Sequence, residues 1–78
     1  MGLGQHDKAL DDFNKSIALR ETVENHFMRA RAHEAQKNLD KAADDYRRAT
    51  QLPATTAFEV QAQREARLKV RQLPKKAE

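Results

Sequence analysis

The histidines are the first residues in this sequence that could do chemistry, because imidazole nitrogens bind metal ions and transfer protons. His33 and Glu34 begin like the HExxH motif of zinc proteases, but Lys37 stands where the second histidine is required. His26 precedes His33 by seven residues and could share a helix face with it, but no third ligand accompanies the pair. Zinc needs three or four protein ligands. We therefore interpret the histidines as packing or surface residues and predict no metal site.

An acidic cluster after the middle of the chain is the next candidate, because carboxylates bind calcium. Asp40, Asp44 and Asp45 lie close together, but no glycine follows them and no glutamate closes the loop as an EF-hand requires. We interpret these residues as charges at a helix start and as salt-bridge partners of Arg47 and Arg48.

The remaining signatures of catalysis are missing from the sequence. There is no cysteine, so a Cys/His pair and a thiolate metal site are excluded, and no glycine-rich phosphate loop or nucleophile elbow is present. We predict no catalytic residue, no cofactor and no enzymatic activity. The lack of cysteine also fits a reducing compartment, so the cytoplasm is favoured, although the sequence does not determine the localisation.

The elements that must position these side chains are indicated by an internal repeat. Residues 7–13 return as residues 40–46, an offset of 33 residues, with five of the seven positions identical and a sixth aromatic in both. Repetition at this period is typical of stacked helical hairpins. Proteins of that kind work by presenting a surface. A chain of 78 residues with 35% charged and 5% aromatic residues is one small domain. No apolar run approaches the length of a membrane span.

Hydrophobic periodicity predicts four antiparallel helices and no strand, over residues 7–19, 23–37, 40–52 and 56–73. Leu10, Phe13 and Ile17 form one face of the first helix. Asn38 is the expected stop of the second helix, because asparagine tolerates the left-handed cap conformation.

The fourth helix opens with a predicted capping box. The Thr56 hydroxyl would accept from the Glu59 amide, and the Glu59 carboxylate would reach back to the Thr56 amide. One stripe of this helix is formed by Phe58, Ala62, Ala66, Val70 and Leu73. Residues 74–78 are expected to be frayed.

The second unit resembles the tetratricopeptide repeat (TPR), in which small and aromatic residues recur at set positions of a helical hairpin. The matching residues are Ala30, His33, Ala42, Tyr46, Ala49 and Pro53, with Ala9 and Phe13 as their counterparts in the first copy. The resemblance implies an all-α fold of antiparallel hairpins, a fragment of a right-handed α-α superhelix with about four helices.

The domain organisation that we predict is a single TPR-like domain over residues 1–78. Residues 7–20 would be the second helix of a truncated repeat, residues 23–53 a complete repeat, and residues 56–73 a capping helix. Residues 3–6 look like the turn within the truncated repeat. His26 and Arg29 replace the tryptophan and leucine of the family pattern, so we expect looser packing toward the preceding helix.

The resemblance also implies a partner-binding surface, because the first helices of TPR hairpins line a concave groove. The groove positions correspond to Glu24, Phe27, Met28, Arg31, Glu34 and Ala35. Phe27 and Met28 could be an apolar anchor for a peptide, with Arg31 pairing an acidic group. The alternative is that Phe27 packs against a neighbouring helix. Phe27 and Arg31 also occupy positions where chaperone-binding TPR domains use Lys and Asn, which disfavours that ligand class.

Three functions follow from these patterns. We favour a protein-interaction module that binds a protein or peptide partner whose identity the sequence does not give. The first alternative is a scaffold that self-associates, for example as a homodimer through Leu10, Phe13 and Ile17.

The second alternative depends on net charge. Residues 54–78 carry six Lys/Arg against three Asp/Glu, and residues 1–53 are balanced, so the net charge of +3 arises in the last third. Arg64, Arg67, Lys69 and Arg71 could bind nucleic acid or an acidic surface. The absence of aromatic residues interleaved for base stacking argues against nucleic acid.

Overall fold

A computed structural model describes the backbone of residues 2–73 and the side chains of residues 8–73. This part of the chain forms four helices and no strand: α1 (Gly2–Leu19), α2 (Val23–Ala35), α3 (Leu39–Gln51) and α4 (Ala57–Gln72). Short loops join them, so consecutive helices run antiparallel. α2 contacts α1, α3 and α4, and α3 also contacts α4, while α1 contacts α2 alone. The predicted all-α fold of antiparallel hairpins is confirmed.

The core lies where α2, α3 and α4 meet, and it is built mainly from alanines around two aromatic rings. Small side chains allow the helix axes to approach closely, and the rings of Phe27 and Tyr46 fill the remaining space in an edge-to-face contact with 5.7 Å between centroids. The buried residues of this core are Val23, Phe27, Ala30, Ala42, Tyr46, Ala49, Ala62 and Ala66. Partly buried Val70 and Leu73 of α4 pack against it.

Threonine hydroxyls cap the N termini of α2 and α4. Thr22 Oγ1 accepts from the Asn25 amide at 3.0 Å, and Thr56 Oγ1 accepts from the Glu59 amide at 3.1 Å. The second half of the predicted capping box is wrong. The Glu59 carboxylate accepts instead from the amide and hydroxyl of Thr55, each at 2.9 Å, and from the amide of Glu24 at 3.1 Å. One buried carboxylate thus joins the first turns of α4 and α2.

Two predicted boundaries are corrected. The turn expected at residues 3–6 is helical, since α1 begins at Gly2 and no glycine in the described backbone has a positive φ. A glycine within a helix costs only about 1 kcal/mol.

The second correction concerns the end of α2. The left-handed residue there is Lys37, with φ of 65°, whereas Asn38 has φ of −86°. The amides of Lys37 and Asn38 donate to the carbonyls of Glu34 and His33, each at 2.9 Å, which is the Schellman pattern.

The two outer helices differ in coverage. α4 lies against α2 and α3 and does not contact α1 within the described residues. Leu10, Phe13 and Ile17 of α1 are therefore only half-buried, against α2. Phe58 at the start of α4 is 47% exposed, although the centroid of its ring lies 6.1 Å from the centroid of the Phe27 ring. The tail expected to fray, residues 74–78, lies outside the described residues.

Candidate functional site

A groove between α2 and α4 is the candidate binding site. It is an open cavity of about 320 Å³ lined by Arg31, Glu34, Ala35, Tyr46, Glu65 and Lys69. Arg31, Glu34 and Ala35 share a face of α2 because they are spaced by three and four residues, and Glu65 and Lys69 are four apart on α4. Tyr46 of α3 forms part of the floor of the groove.

Hydrogen bonds to Glu34 hold the floor of this groove together. Tyr46 donates its hydroxyl to Glu34 Oε1 at 2.7 Å, and Lys69 Nζ donates to Glu34 Oε2 at 2.9 Å. Burial, and then the bond to Glu34, raise the pKa of Tyr46. Burial opposes ionisation of Glu34, but the bonds from Lys69 and Tyr46 outweigh it and lower the Glu34 pKa. The carboxylate is therefore ionised at neutral pH and ties α2, α3 and α4 together.

Two further charges in the groove are available to a ligand. Arg31 and Glu65 are exposed, and neither makes a hydrogen bond or ion pair with another side chain among residues 8–73. The Arg31 guanidinium carbon lies 5.9 Å from the centre of the Phe27 ring, which supports the side chain from below. Among the described residues, the groove thus presents one cation and one anion without an ion-pair partner, both near Tyr46.

The predicted partner-binding residues are only partly brought together. Arg31, Glu34 and Ala35 line the groove. Glu24 is exposed in the first turn of α2, and Met28 is half-buried against the core. Phe27 is only 3% exposed, so its interpretation as an exposed anchor is wrong, and the alternative of helix packing describes it.

Two groove residues, Glu65 and Lys69, are not among those predicted from the sequence. Both could have been found from the repeat, because they lie 34 residues after Arg31 and Ala35. The capping threonines Thr22 and Thr56 show the same offset.

A second polar cluster lies between α2 and α3, centred on Asp45, whose side chain is 6% exposed. Arg29 donates to it from Nε at 2.8 Å and from Nη2 at 2.7 Å. His26 Nδ1 lies 3.0 Å from the same carboxylate, and His26 Nε2 lies 3.0 Å from Glu21 Oε1. The hydrogen bond with Asp45 raises the pKa of Arg29. The cluster is an internal brace between two helices.

This cluster corrects two expectations. Asp45 does not pair with Arg47 or Arg48: Arg47 lies 3.4 Å from Asp44, as predicted, and Arg48 binds Glu21 at 2.9 Å. His26 and Arg29 do not simply loosen the packing, because both bind Asp45. Arg29 also donates from Nη1 to Asn14 of α1 at 2.9 Å. A polar contact therefore joins α2 to the preceding helix where the family pattern has an apolar one.

His33 lies at the edge of the same cluster. Its Nε2 is 3.7 Å from Asp45 Oδ2, and its buried Nδ1 has no hydrogen-bond partner among the described residues. Burial lowers the pKa of His33. Within the described residues no group of three or more His, Asp or Glu side chains is arranged to hold a metal ion.

A larger depression of about 560 Å³ lies beside the turn between α2 and α3. It is lined by Lys37, Asn38, Leu39, Asp40, Lys41 and Asp44. Apart from half-buried Leu39, these residues are exposed, and they form no convergent polar arrangement. We therefore prefer the groove between α2 and α4 as the binding site.

The comparisons with known proteins bear on the central hairpin. The family described as Tetratricopeptide repeat matches residues 23–52, which span α2, the turn and α3. Comparison with curated proteins and with solved structures gave no match. Repeats of this family are generally non-enzymatic protein-interaction modules. No helix in the described part of the chain has the length and apolar character needed to cross a membrane.

Proposed function

Residues 23–52 are a tetratricopeptide repeat, and on that premise we propose that the chain binds a segment of a partner protein in the groove between α2 and α4. We also propose that α1 corresponds to the second helix of a TPR hairpin and that α4 corresponds to the capping helix. The absence of cysteine fits a role in a reducing compartment, of which the cytoplasm is the favoured one.

The observation that carries the proposal is a pair of exposed charges in the groove that lack an ion-pair partner among the described residues. Arg31 and Glu65 have no ionic partner among the described side chains, whereas neighbouring Glu34 and Lys69 are paired with each other at 2.9 Å. Unpaired charges around a concave surface favour a polar ligand of complementary charge. We infer a peptide that places an acidic group at Arg31 and a basic group at Glu65, and the interaction requires no catalysis.

The test is selection of ligands from a displayed library of random short peptides with the intact chain. Selected peptides should carry both charges, and Arg31→Glu should weaken their binding about tenfold or more, because like charges would then face each other. Arg47→Glu is the matched control, since it makes the same charge change on an exposed residue of α3 outside the groove. Phe27 is left unchanged, because truncating this buried ring would damage the core.

A second variant tests the other charge. Glu65→Lys should shift selection away from peptides with a basic group. Peptides that bind both groove variants as tightly as the intact chain would overturn the proposal, and so would a selection that enriches nothing.

A further inference from the structure

The outward side of α4 carries a basic stripe, which we define as Val60, Arg64, Arg67, Leu68 and Arg71. These residues lie opposite buried Ala62 and Ala66, and all five are exposed, with Val60 at 45% and Leu68 at 53%. None of the three arginines makes an ion pair or hydrogen bond with another side chain of residues 8–73. The stripe contains no acidic residue, so it is an open surface for a partner that supplies a carboxylate.

On α2, the side that corresponds to the basic stripe is covered by another helix of the same chain. Thr22 and Thr56 cap α2 and α4 in the same way, so the helices align with an offset of 34 residues. Val60, Arg64 and Arg67 then correspond to His26, Ala30 and His33. That side of α2 is covered by α3, and its polar groups surround Asp45.

Contacts to the preceding helix support the alignment. Arg29 of α2 donates to Asn14 of α1, and its counterpart Gln63 of α4 donates to the carbonyls of Ala49 and Leu52 at the end of α3. Each side chain therefore binds the helix before its own. α4 therefore packs on α3 as α2 packs on α1. The basic stripe of α4 corresponds to the side of α2 that α3 covers.

The α1 helix carries the counterpart of α3. With the offset of 33 residues, Ala9, Asp12 and Ser16 correspond to Ala42, Asp45 and Ala49. Asp12 is exposed and has no ionic partner among the described side chains. Within the described residues α1 contacts only α2, so no described helix covers the side of α1 that corresponds to the α2-facing side of α3.

We propose that α1 of one copy docks on the basic stripe of α4 of a second copy, with Asp12 beside Arg67, the counterpart of His33, and next to Arg64 at the helix crossing. The contact completes a hairpin from two chains, in the manner in which α3 covers α2 within one chain. Arg64 replaces Ala30 at the helix crossing, so the axes approach less closely and ionic attraction carries more of the contact. Because the two faces differ, the association is head to tail and can continue beyond two copies.

Sedimentation of the intact chain from micromolar to millimolar concentration tests this proposal. The average mass should rise with concentration, and should rise less at high salt, which screens exposed charges. Asp12→Lys and Arg64→Glu should each weaken association about tenfold or more. Arg47→Glu, which makes the same charge change on α3, should not. Circular dichroism establishes that each variant is folded.

Mixing two variants decides between arrangements. Asp12→Lys keeps an intact stripe, and the double variant Arg64→Glu, Arg67→Glu keeps an intact α1. Each should associate more weakly alone than the intact chain does. The equimolar mixture should recover association beyond a dimer, because unchanged Asp12 meets unchanged arginines at one contact and the introduced lysine meets the introduced glutamates at the other.

Four outcomes would overturn head-to-tail docking. One is a monomer mass for the intact chain at every concentration. Another is a two-fold dimer through α1, which Asp12→Lys would abolish and Arg64→Glu would leave intact. The third is association that Arg47→Glu weakens as much as Arg64→Glu. Binding of an oligonucleotide by the stripe without self-association would likewise reject a second copy as its occupant.

Discussion

The two copies of the repeated segment, in α1 and in α3, have nearly the same residues and very different surroundings. Ala42 and Tyr46 of α3 are completely buried, and Asp45 is 5% exposed. Their counterparts in α1 are half-buried Ala9 and Phe13 and exposed Asp12. α3 lies between α2 and α4, whereas α1 contacts α2 alone among the helices of the described residues. The pattern therefore determines that a helix forms and which side is apolar, but the number of neighbouring helices determines what each residue contributes to stability.

The largest contrast is expected for a glutamate introduced into each copy. Ala42→Glu should unfold the domain, because a carboxylate without a partner at a closed helix crossing costs several kcal/mol, which is comparable with the whole stability of a small domain. Ala9→Glu should cost far less, since its side chain can reach water. Thermal denaturation followed by circular dichroism measures both. Equal melting temperatures for the two variants would contradict the difference in burial.

The next contrast concerns the aspartates. Asp45→Ala leaves His26 and Arg29 without their shared carboxylate and should lower the free energy of unfolding by about 2–4 kcal/mol. Asp12→Ala should change it by no more than about 0.5 kcal/mol. Asp44→Ala is the neighbouring control in α3, and it should cost under about 1 kcal/mol, because its pair with Arg47 is exposed. Urea denaturation gives the three values. A loss for Asp12→Ala as large as that for Asp45→Ala would show that the copies are equivalent.

The smallest contrast is a reciprocal exchange of the aromatic residues. Tyr46→Phe removes the hydroxyl that donates to Glu34 at 2.7 Å and should cost about 1 kcal/mol. Phe13→Tyr adds a hydroxyl beside solvent and should be close to neutral. Urea denaturation of both variants, each compared with the intact chain, measures the effect. If Tyr46→Phe is neutral, the bond to Glu34 contributes nothing to stability.

Local patterns predicted much of the helical architecture, because helix formation and capping depend on nearby residues. Periodicity placed the starts of α2, α3 and α4 within one residue of those observed, and the Thr56 hydroxyl binds the predicted amide. Thr22 carries the same signal three residues before Asn25, and it could have been identified from the sequence in the same way. The turn expected at residues 3–6 failed, because glycine permits a turn without requiring one.

The polar contacts between helices could not be predicted, because they join residues that are distant in sequence. Arg47 and Arg48 follow Asp45 closely in the sequence, and only the packing of α2 against α3 selects Arg29, which lies 16 residues away. Only some of the groove residues could be predicted, for a related reason. Arg31 and Glu34 follow from the repeat pattern, whereas Lys69 reaches Glu34 across 35 residues.

The protonation state of the Glu59 carboxylate affects the first turns of two helices, α2 and α4. Its hydrogen bonds, first from the Thr55 amide, lower the pKa of Glu59 below the ordinary value of 4.5. Its stabilising contribution is therefore complete above that value and is lost as the pH falls through the lower pKa of the folded chain. Protonation weakens the bonds that this carboxylate accepts from Thr55, just before α4, and from the Glu24 amide of α2 together. In acid the two turns should fray as one cooperative unit, and their amides should exchange hydrogen in concert, so that both walls of the groove loosen at the same end.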